Sequence, residues 1–419
     1  MPPAAASTST APSSAAPLPG TAPVSARLPQ FPWDRLKPFG ERAQAHPDGI
    51  VDLSVGTPVD PTPAVVRRAL AEAADAPGYP TVHGRPRLRE AAAGWMSRTL
   101  GVEVDPAAIM PAIGSKELVA ALPALLGLGS GDAVAYPVPA YPTYEIGALL
   151  AGARPVPLSD DELAGDWSAA AGAGTAIEAG TGAETGTVAG TGTGAGRIKL
   201  VWLNSPANPH GRVLPAAALR AVVEQARALG ALVVSDECYI SLGWEGEQPV
   251  SVLHPDVTGG SPDGVLALHS LSKRSNLAGY RSAFVAGDAA AVAELVAVRR
   301  HSGMMIPAPI QAGTIAALDD DTHAAEQKER YRSRRVVLRN ALLAAGFRID
   351  HSEAGLYLWA SRTVDGRPED CWDTVAHLAE RGILAAPGEF YGRGGEHHVR
   401  LALTASDERI AAAAVRLAG

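Results

Sequence analysis

The sequence predicts an α/β fold, with a large domain on a mainly parallel sheet covered by helices and a smaller C-terminal α/β domain. Three observations carry this. Helical patterns and short strand-like runs alternate between residues 64 and 286. The strand-like runs are continuously apolar rather than alternating, which fits strands buried on both faces of a parallel sheet. Near residue 300 the pattern changes to one long charged helix followed by shorter strands and helices.

Taken in order, residues 1–26 hold 8 Ala, 6 Pro, 5 Ser and 3 Thr and no charge, a composition that supports a disordered tail rather than a core. Residues 27–55 are expected to pack with the small domain. The large domain is expected over 56–299. Helical spacing covers Ala64–Ala76, Arg87–Leu100, Glu117–Leu128 (interrupted or ended near Pro123) and Pro215–Leu229, the last opened by Pro as helix starts prefer. Strands are expected at Ala133–Tyr136, Lys199–Leu203, Ala231–Ser235, Val265–His269 and Ser282–Ala286. Residues 169–196 hold 9 Ala, 9 Gly and 6 Thr and read as a flexible surface insertion. Gly190–Ala195 superficially fits a dinucleotide fingerprint, but a Gly/Thr tract precedes it and a strand follows, the reverse of what that fingerprint needs. The small domain is expected over 300–419, with a helix at Ala324–Ala345, a strand at Leu356–Ala360, a helix near Glu369–Arg381, a strand at Val399–Thr404 and a terminal helix.

Charge and cysteine content narrow the function. Lys plus Arg number 36 against 44 Asp plus Glu, a net charge of −8, which argues against a general binder of nucleic acid or anionic membrane. Two cysteines, Cys238 and Cys371, cannot build a disulfide scaffold or a four-cysteine zinc site. No apolar run approaches a membrane span and no secretory leader is legible, so a cytoplasmic protein is expected. His397 and His398 are neighbours on a strand and point to opposite faces, so no metal site is expected there.

The candidate chemistry follows strand ends, where open α/β sheets bind ligands. Lys273 follows an apolar run, with Ser270 before it and Arg281 after it, a set suited to an amine beside a phosphate. Asp236 ends another run, with Cys238 and Tyr239 just beyond. Asn204-Ser-Pro-Ala-Asn208-Pro-His210-Gly211 follows a third. Gly114-Ser115-Lys116 opens a helix, whose first amides favour anions. Tyr136–Tyr144 is a proline-stiffened loop presenting aromatics. Arg400 alternates with apolar residues inside a strand and therefore needs a partner.

In this order and spacing the motifs resemble the fold-type I pyridoxal 5'-phosphate (PLP) aminotransferases of classes I and II, over about residues 28–419. The resemblance implies the PLP-dependent transferase fold, and it implies that Lys273 binds the cofactor's aldehyde and shuttles protons. It implies that Asp236 pairs with the pyridine nitrogen and that Tyr239 and Asn208 bond the ring's phenolic oxygen. Gly114, Ser115, Lys116, Ser270 and Arg281 would hold the phosphate, and Tyr141 would stack on the ring. Arg400 would take the substrate α-carboxylate, with Gly56 near the substrate. Tyr79 would reach a partner subunit's phosphate, implying a homodimer with shared active sites. The substrates implied are amino acids and 2-oxo acids. One departure is His210, where the family usually has Thr. Phe31-Pro-Trp-Asp, Val51–Pro63, Leu271–Arg281 and Glu353–Trp359 further resemble actinobacterial succinyldiaminopimelate aminotransferases. That likeness implies amino exchange between N-succinyl-LL-2,6-diaminopimelate and 2-oxoglutarate in lysine and diaminopimelate synthesis. An acetylornithine, aspartate or broad-specificity aminotransferase, or a C–S lyase, would share the cofactor residues. A DNA-binding regulator on this scaffold would need a folded N-terminal domain, which an uncharged tail does not supply.

Overall fold

A computed structural model describes residues 23–165, 167, 197–244 and 248–419. The tail up to residue 22, the insertion expected over 169–196 and the Gly190–Ala195 fingerprint lie outside the described residues. Val24–Arg27, at the end of the expected tail, is a single 3-10 turn with no buried residue.

After β1 (Val51–Asp52), seven strands build the main sheet. They are β2 (Ile109–Ile113), β3 (Asp132–Pro137), β4 (Arg154–Leu158), β5 (Arg197–Leu203), β6 (Leu232–Asp236), β7 (Val265–Ser270) and β8 (Ser282–Gly287). Their order is β2-β8-β7-β6-β5-β3-β4. Pairing from β7 through β4 is parallel, while β8 runs antiparallel to both β7 and β2. The apolar runs have no polar face because both faces are covered. Val201, Leu203, Val233, Val265 and Ala267 feed one core, while Leu200, Trp202, Val234, Leu266 and Leu268 feed the other. Neighbouring residues thus serve opposite layers, as the period of two requires.

Two strands of this sheet escape the sequence pattern, β2 and β4, and both carry proline. Both sit at the edges of the sheet, where a missing N–H leaves no broken ladder. Pro123 neither interrupts nor ends its helix, which runs Ser115–Leu125 with Pro123 buried inside its last turn. The helix starting at Ala64 stops at Glu72, short of the expected Ala76.

A second sheet follows, from β9 (Arg348–Ile349) and β10 (Tyr357–Ser361), past the hairpin β11 (Thr363–Val364) and β12 (Arg367–Pro368), and past β13 (Ile383–Leu384), to β14 (Ala386–Pro387) and β15 (His398–Ala402). Its order is β14-β15-β10-β9, all antiparallel. β1 pairs with β13 in parallel, and Leu36, Ala43, Val51 and Leu53 join the core of this second body. The long helix Thr322–Ala344 and the terminal helix Asp407–Ala418 cover it. The helix Ala308–Asp319 falls after residue 300 yet packs with the large body. Ala317 and Leu318 enter its core, and Gly313 lies against Val66 and Leu70. Apolar periodicity shows that a helix has a buried face but not which layer covers it.

Candidate active site

The carboxyl ends of the parallel strands converge on one edge, and each motif residue enters there for a local reason. Asp236 is the last residue of β6. Asn204 follows β5 and threads the loop: its Nδ2 donates to Asp236 O at 2.8 Å, and its Oδ1 accepts from Asn208 N at 2.8 Å. Ser270 ends β7 and caps the turn Leu271–Arg274, accepting from Ser272 N, and that turn carries Lys273. Because β8 is antiparallel, its start lies where the other strands finish. Ser282 pairs with Ile113, so Arg281 just before β8 meets Gly114 just after β2.

The anion-binding corner is tight. Gly114 has φ of +75°, and a Cβ there would overlap the Arg281 guanidinium. Arg281 itself sits at φ 56°, an uncommon conformation for a side-chain-bearing residue, and donates to Ala278 O at 2.9 Å. Ser115 opens the adjoining helix, and its Oγ accepts from the Cys238 thiol at 3.3 Å. Burial pushes that thiol well above its usual range, so it is no ready nucleophile. Lys116 Nζ lies 6.0 Å from the centre of the Tyr141 ring.

Asp236 is buried. Its carboxylate accepts from the Tyr144 hydroxyl at 3.0 Å and from Cys238 N at 3.2 Å, and neither donor is cationic. Burial raises its pKa above the ordinary carboxylate value despite these bonds. Lys273 Nζ donates to the carbonyl of Gly56.

From the second body, β15 brings Arg400 to the same place. It is buried, donating through Nη1 to Asn208 Oδ1 at 3.0 Å and through Nη2 to Ser54 O at 2.7 Å. Its guanidinium carbon lies 3.9 Å from the Tyr357 ring centre and 4.9 Å from that of Tyr391. Among the described residues its Nε has no hydrogen-bond partner. Tyr239 is buried with its hydroxyl 3.3 Å from that of Tyr357.

Lys273, Asp236, Asn208, Tyr239, Gly56 and Arg400 are thus linked by direct bonds or by shared neighbours. Tyr79 stands apart, 95% exposed, beside Gly78. Tyr144, Asn204, Ser54, Tyr357 and Tyr391 join the site without having been singled out. All but Tyr391 lie inside the motifs of the sequence, but only the fold reveals which side chains face the site.

His210 is buried and outside this cluster. Its Nδ1 accepts from Arg212 N at 3.2 Å, so the proton resides on Nε2. It borders a cavity of about 250 Å³ shared with Arg212, His351, Trp359 and His398, which none of Lys273, Asp236 and Arg400 lines. His397 and His398 diverge as expected: one bonds Glu369 O at 3.1 Å, the other Asp350 at 2.8 Å. Among the described residues no helix is long and apolar enough to cross a membrane.

The family model described as aminotransferase class I and II matches residues 48–417. The 4-dedimethylamino-4-oxo-anhydrotetracycline transaminase OxyQ of Streptomyces rimosus is 54% identical over 93% of this chain and 99% of that protein. The LL-diaminopimelate aminotransferase of Desulforudis audaxviator is 31% identical over 94% of this chain and 95% of its own. Among solved structures, a probable N-succinyldiaminopimelate aminotransferase from Thermus thermophilus superposes with a TM-score of 0.76 at 29% identity, covering 92% of this chain and 99% of that one.

Enzymes of this family and fold depend on PLP. The residues present fit it at both ends. Asp236 is a buried carboxylate bonded only by neutral donors, which suits a protonated ring nitrogen. The Gly114 turn leaves its side-chain space to Arg281 at a helix start, which suits a phosphate.

Proposed function

We propose that this chain, which belongs to the class I and II aminotransferases, moves an amino group between N-succinyl-LL-2,6-diaminopimelate and 2-oxoglutarate. The observation that carries the reaction class is Arg400: a buried guanidinium with its Nε unspent, bonded to Asn208 and reached from the same Gly56 segment that holds the Lys273 amine. A planar fork of that kind pairs with a carboxylate in a bidentate way.

When bound, PLP supplies an aldehyde that takes up the amino group and a ring that stores the electron pair left by Cα–H cleavage. The chain's residues do the rest. The Lys273 amine would hold the cofactor and would carry the proton taken from Cα. Asp236 keeps a proton on the ring nitrogen, and Tyr144 keeps Asp236 oriented. Tyr239 and Asn208 hold the phenolic oxygen. Gly114, Ser115, Lys116, Ser270 and Arg281 would hold the phosphate, and Tyr141 would stack on the ring. Arg400 fixes the α-carboxylate beside Gly56. The exposed Tyr79 completes the phosphate site of a second copy, so the working unit is a homodimer acting in the cytoplasm.

The diaminopimelate assignment is supported by the motif likeness at 31–34, 51–63 and 353–359 and by the diaminopimelate aminotransferases among the relatives. The 54% identity to OxyQ favours a second reading, in which the amino acceptor is a polycyclic ketone. Half-reactions separate the two. Purified enzyme is mixed with each candidate amine, and the absorbance change to the aminated cofactor is followed. Fast reaction with the succinylated diamine supports the first reading. Reaction with glutamate or aspartate alone, followed by amination of the polycyclic ketone, supports the second.

A further inference from the structure

Tyr357 brings to the site a buried hydroxyl with a seat made for it and no assigned task. A Cβ at Gly56 would overlap its hydroxyl, so the glycine is what admits it. The hydroxyl lies 3.3 Å from that of Tyr239, and the Arg400 guanidinium rests on the Tyr357 ring face at 3.9 Å. Each phenol has a single proton, so the pair has a direction. Burial alone would raise the pKa of both. At Tyr357 the Arg400 and Lys273 cations outweigh burial and bring it below the ordinary phenol. At Tyr239 burial dominates, Tyr357 adds to it, and the phenol is pushed well up. Tyr239 has one proton and the role proposed above spends it on the cofactor's phenolic oxygen, so the 3.3 Å contact is a hydrogen bond only when Tyr357 donates and the Tyr239 oxygen accepts.

We propose that Tyr357 is a positioning residue: its hydroxyl donates to Tyr239 and so aims the Tyr239 proton at the cofactor's phenolic oxygen. This rests on the role proposed above for Tyr239. Arg400 thereby touches both ends of the chemistry, holding the carboxylate with its edge and polarising the Tyr357–Tyr239 pair through its face. The ring of Tyr357 supports Arg400, and only its oxygen acts on Tyr239, so Tyr357→Phe removes one function and spares the other.

The test is a spectral pH titration of the holoenzyme, reading the midpoint at which the lysine-bound cofactor changes colour. It compares the wild type, Tyr357→Phe, Tyr239→Phe and the double variant. Donation to the phenolic oxygen favours its anionic form, so losing it raises the midpoint. Tyr357→Phe is expected to raise it by about half a unit to one unit, the net worth of one hydrogen bond. Tyr239→Phe is expected to raise it further, and the double variant to match Tyr239→Phe alone. KM for the amino acid should stay within about twofold in Tyr357→Phe and rise in Tyr357→Ala, because only the latter removes the ring beneath Arg400. An unmoved midpoint in Tyr357→Phe, or additive shifts in the double variant, overturns the inference while leaving Tyr239 in place. An unmoved midpoint in Tyr239→Phe overturns the role of Tyr239 and this inference with it.

Discussion

Arg281 occupies the space that a side chain at Gly114 would fill, although the two residues are 167 positions apart. The antiparallel run of β8 creates this meeting. Gly114→Ala must both shift the guanidinium and hold φ near +75° with a Cβ. Displacing one charge-assisted phosphate contact is expected to weaken cofactor binding by about tenfold to a hundredfold. Titrating apoenzyme with PLP and following fluorescence quenching checks this; unchanged affinity would separate Arg281 from the phosphate.

Lys273→Ala should bind PLP only loosely and lose the visible absorbance of the lysine-bound cofactor. A retained band would place the linkage at another amine.

Arg400→Lys keeps a positive charge but loses the fork that reaches Asn208, Ser54 and a carboxylate together. We expect kcat/KM for the amino acid half-reaction to fall roughly a hundredfold, close to 3 kcal/mol. Most of the loss should appear at low substrate. Stopped-flow rates against concentration read the split.

Asp60 is held by a bidentate pair with Arg334 (2.6 and 2.7 Å), and Arg334 also bonds Asp407 at 2.6 Å. The Asp60 and Arg334 side chains are 8% and 3% exposed. Burial would raise the Asp60 pKa, but the Arg334 and Gln327 hydrogen bonds and the nearby guanidiniums lower it below 3.8. The folded value is therefore the depressed one. The stabilisation is complete above pH 4 and is lost as pH falls through the folded value. Asp60→Asn leaves Arg334 with Asp407 as its remaining carboxylate partner and should cost about 2 kcal/mol near pH 7. The difference in thermal midpoint from wild type should narrow below pH 4.

His210 works in the same direction, in a higher pH window. Burial, then the charges of His351, Arg212 and His398, bring its pKa down to about 3. An unfolded chain takes up a proton there near pH 6.5 while the folded chain does not, so acidification favours unfolding from pH 6.5 downward. The contribution amounts to about 1 kcal/mol at pH 5.5. His210→Thr should flatten that part of the stability profile; equal slopes for the two proteins between pH 7 and 5 would refute the buried neutral state.

Much of the site was legible because its residues sit just past apolar runs. Asp236, Asn208 and Lys273 could each be placed at a strand's end from sequence, and order did the rest. The edge strands were not legible, because Pro111, Pro155 and Pro157 argue against a strand until the edge position is known. Tyr357 lies in the Glu353–Trp359 motif, whose pattern assigns it no role. Its importance depends on the β10–β15 register, which sets Trp359 opposite Arg400 and Tyr357 on the same face, and on a glycine three hundred positions earlier.

The loop after Asn208 is stitched to the second body: Ser352 N donates to His210 O at 3.1 Å and Ala354 N to Gly211 O at 3.0 Å. Arg400 adds a third tie through Asn208 itself. The grip on the substrate and the grip on the ring oxygen are therefore mounted on one bracket. If the two bodies rock against each other as reactants enter and leave, that bracket preserves the alignment of carboxylate and ring, and the misalignment falls on the side facing Lys273, whose long flexible chain can absorb it.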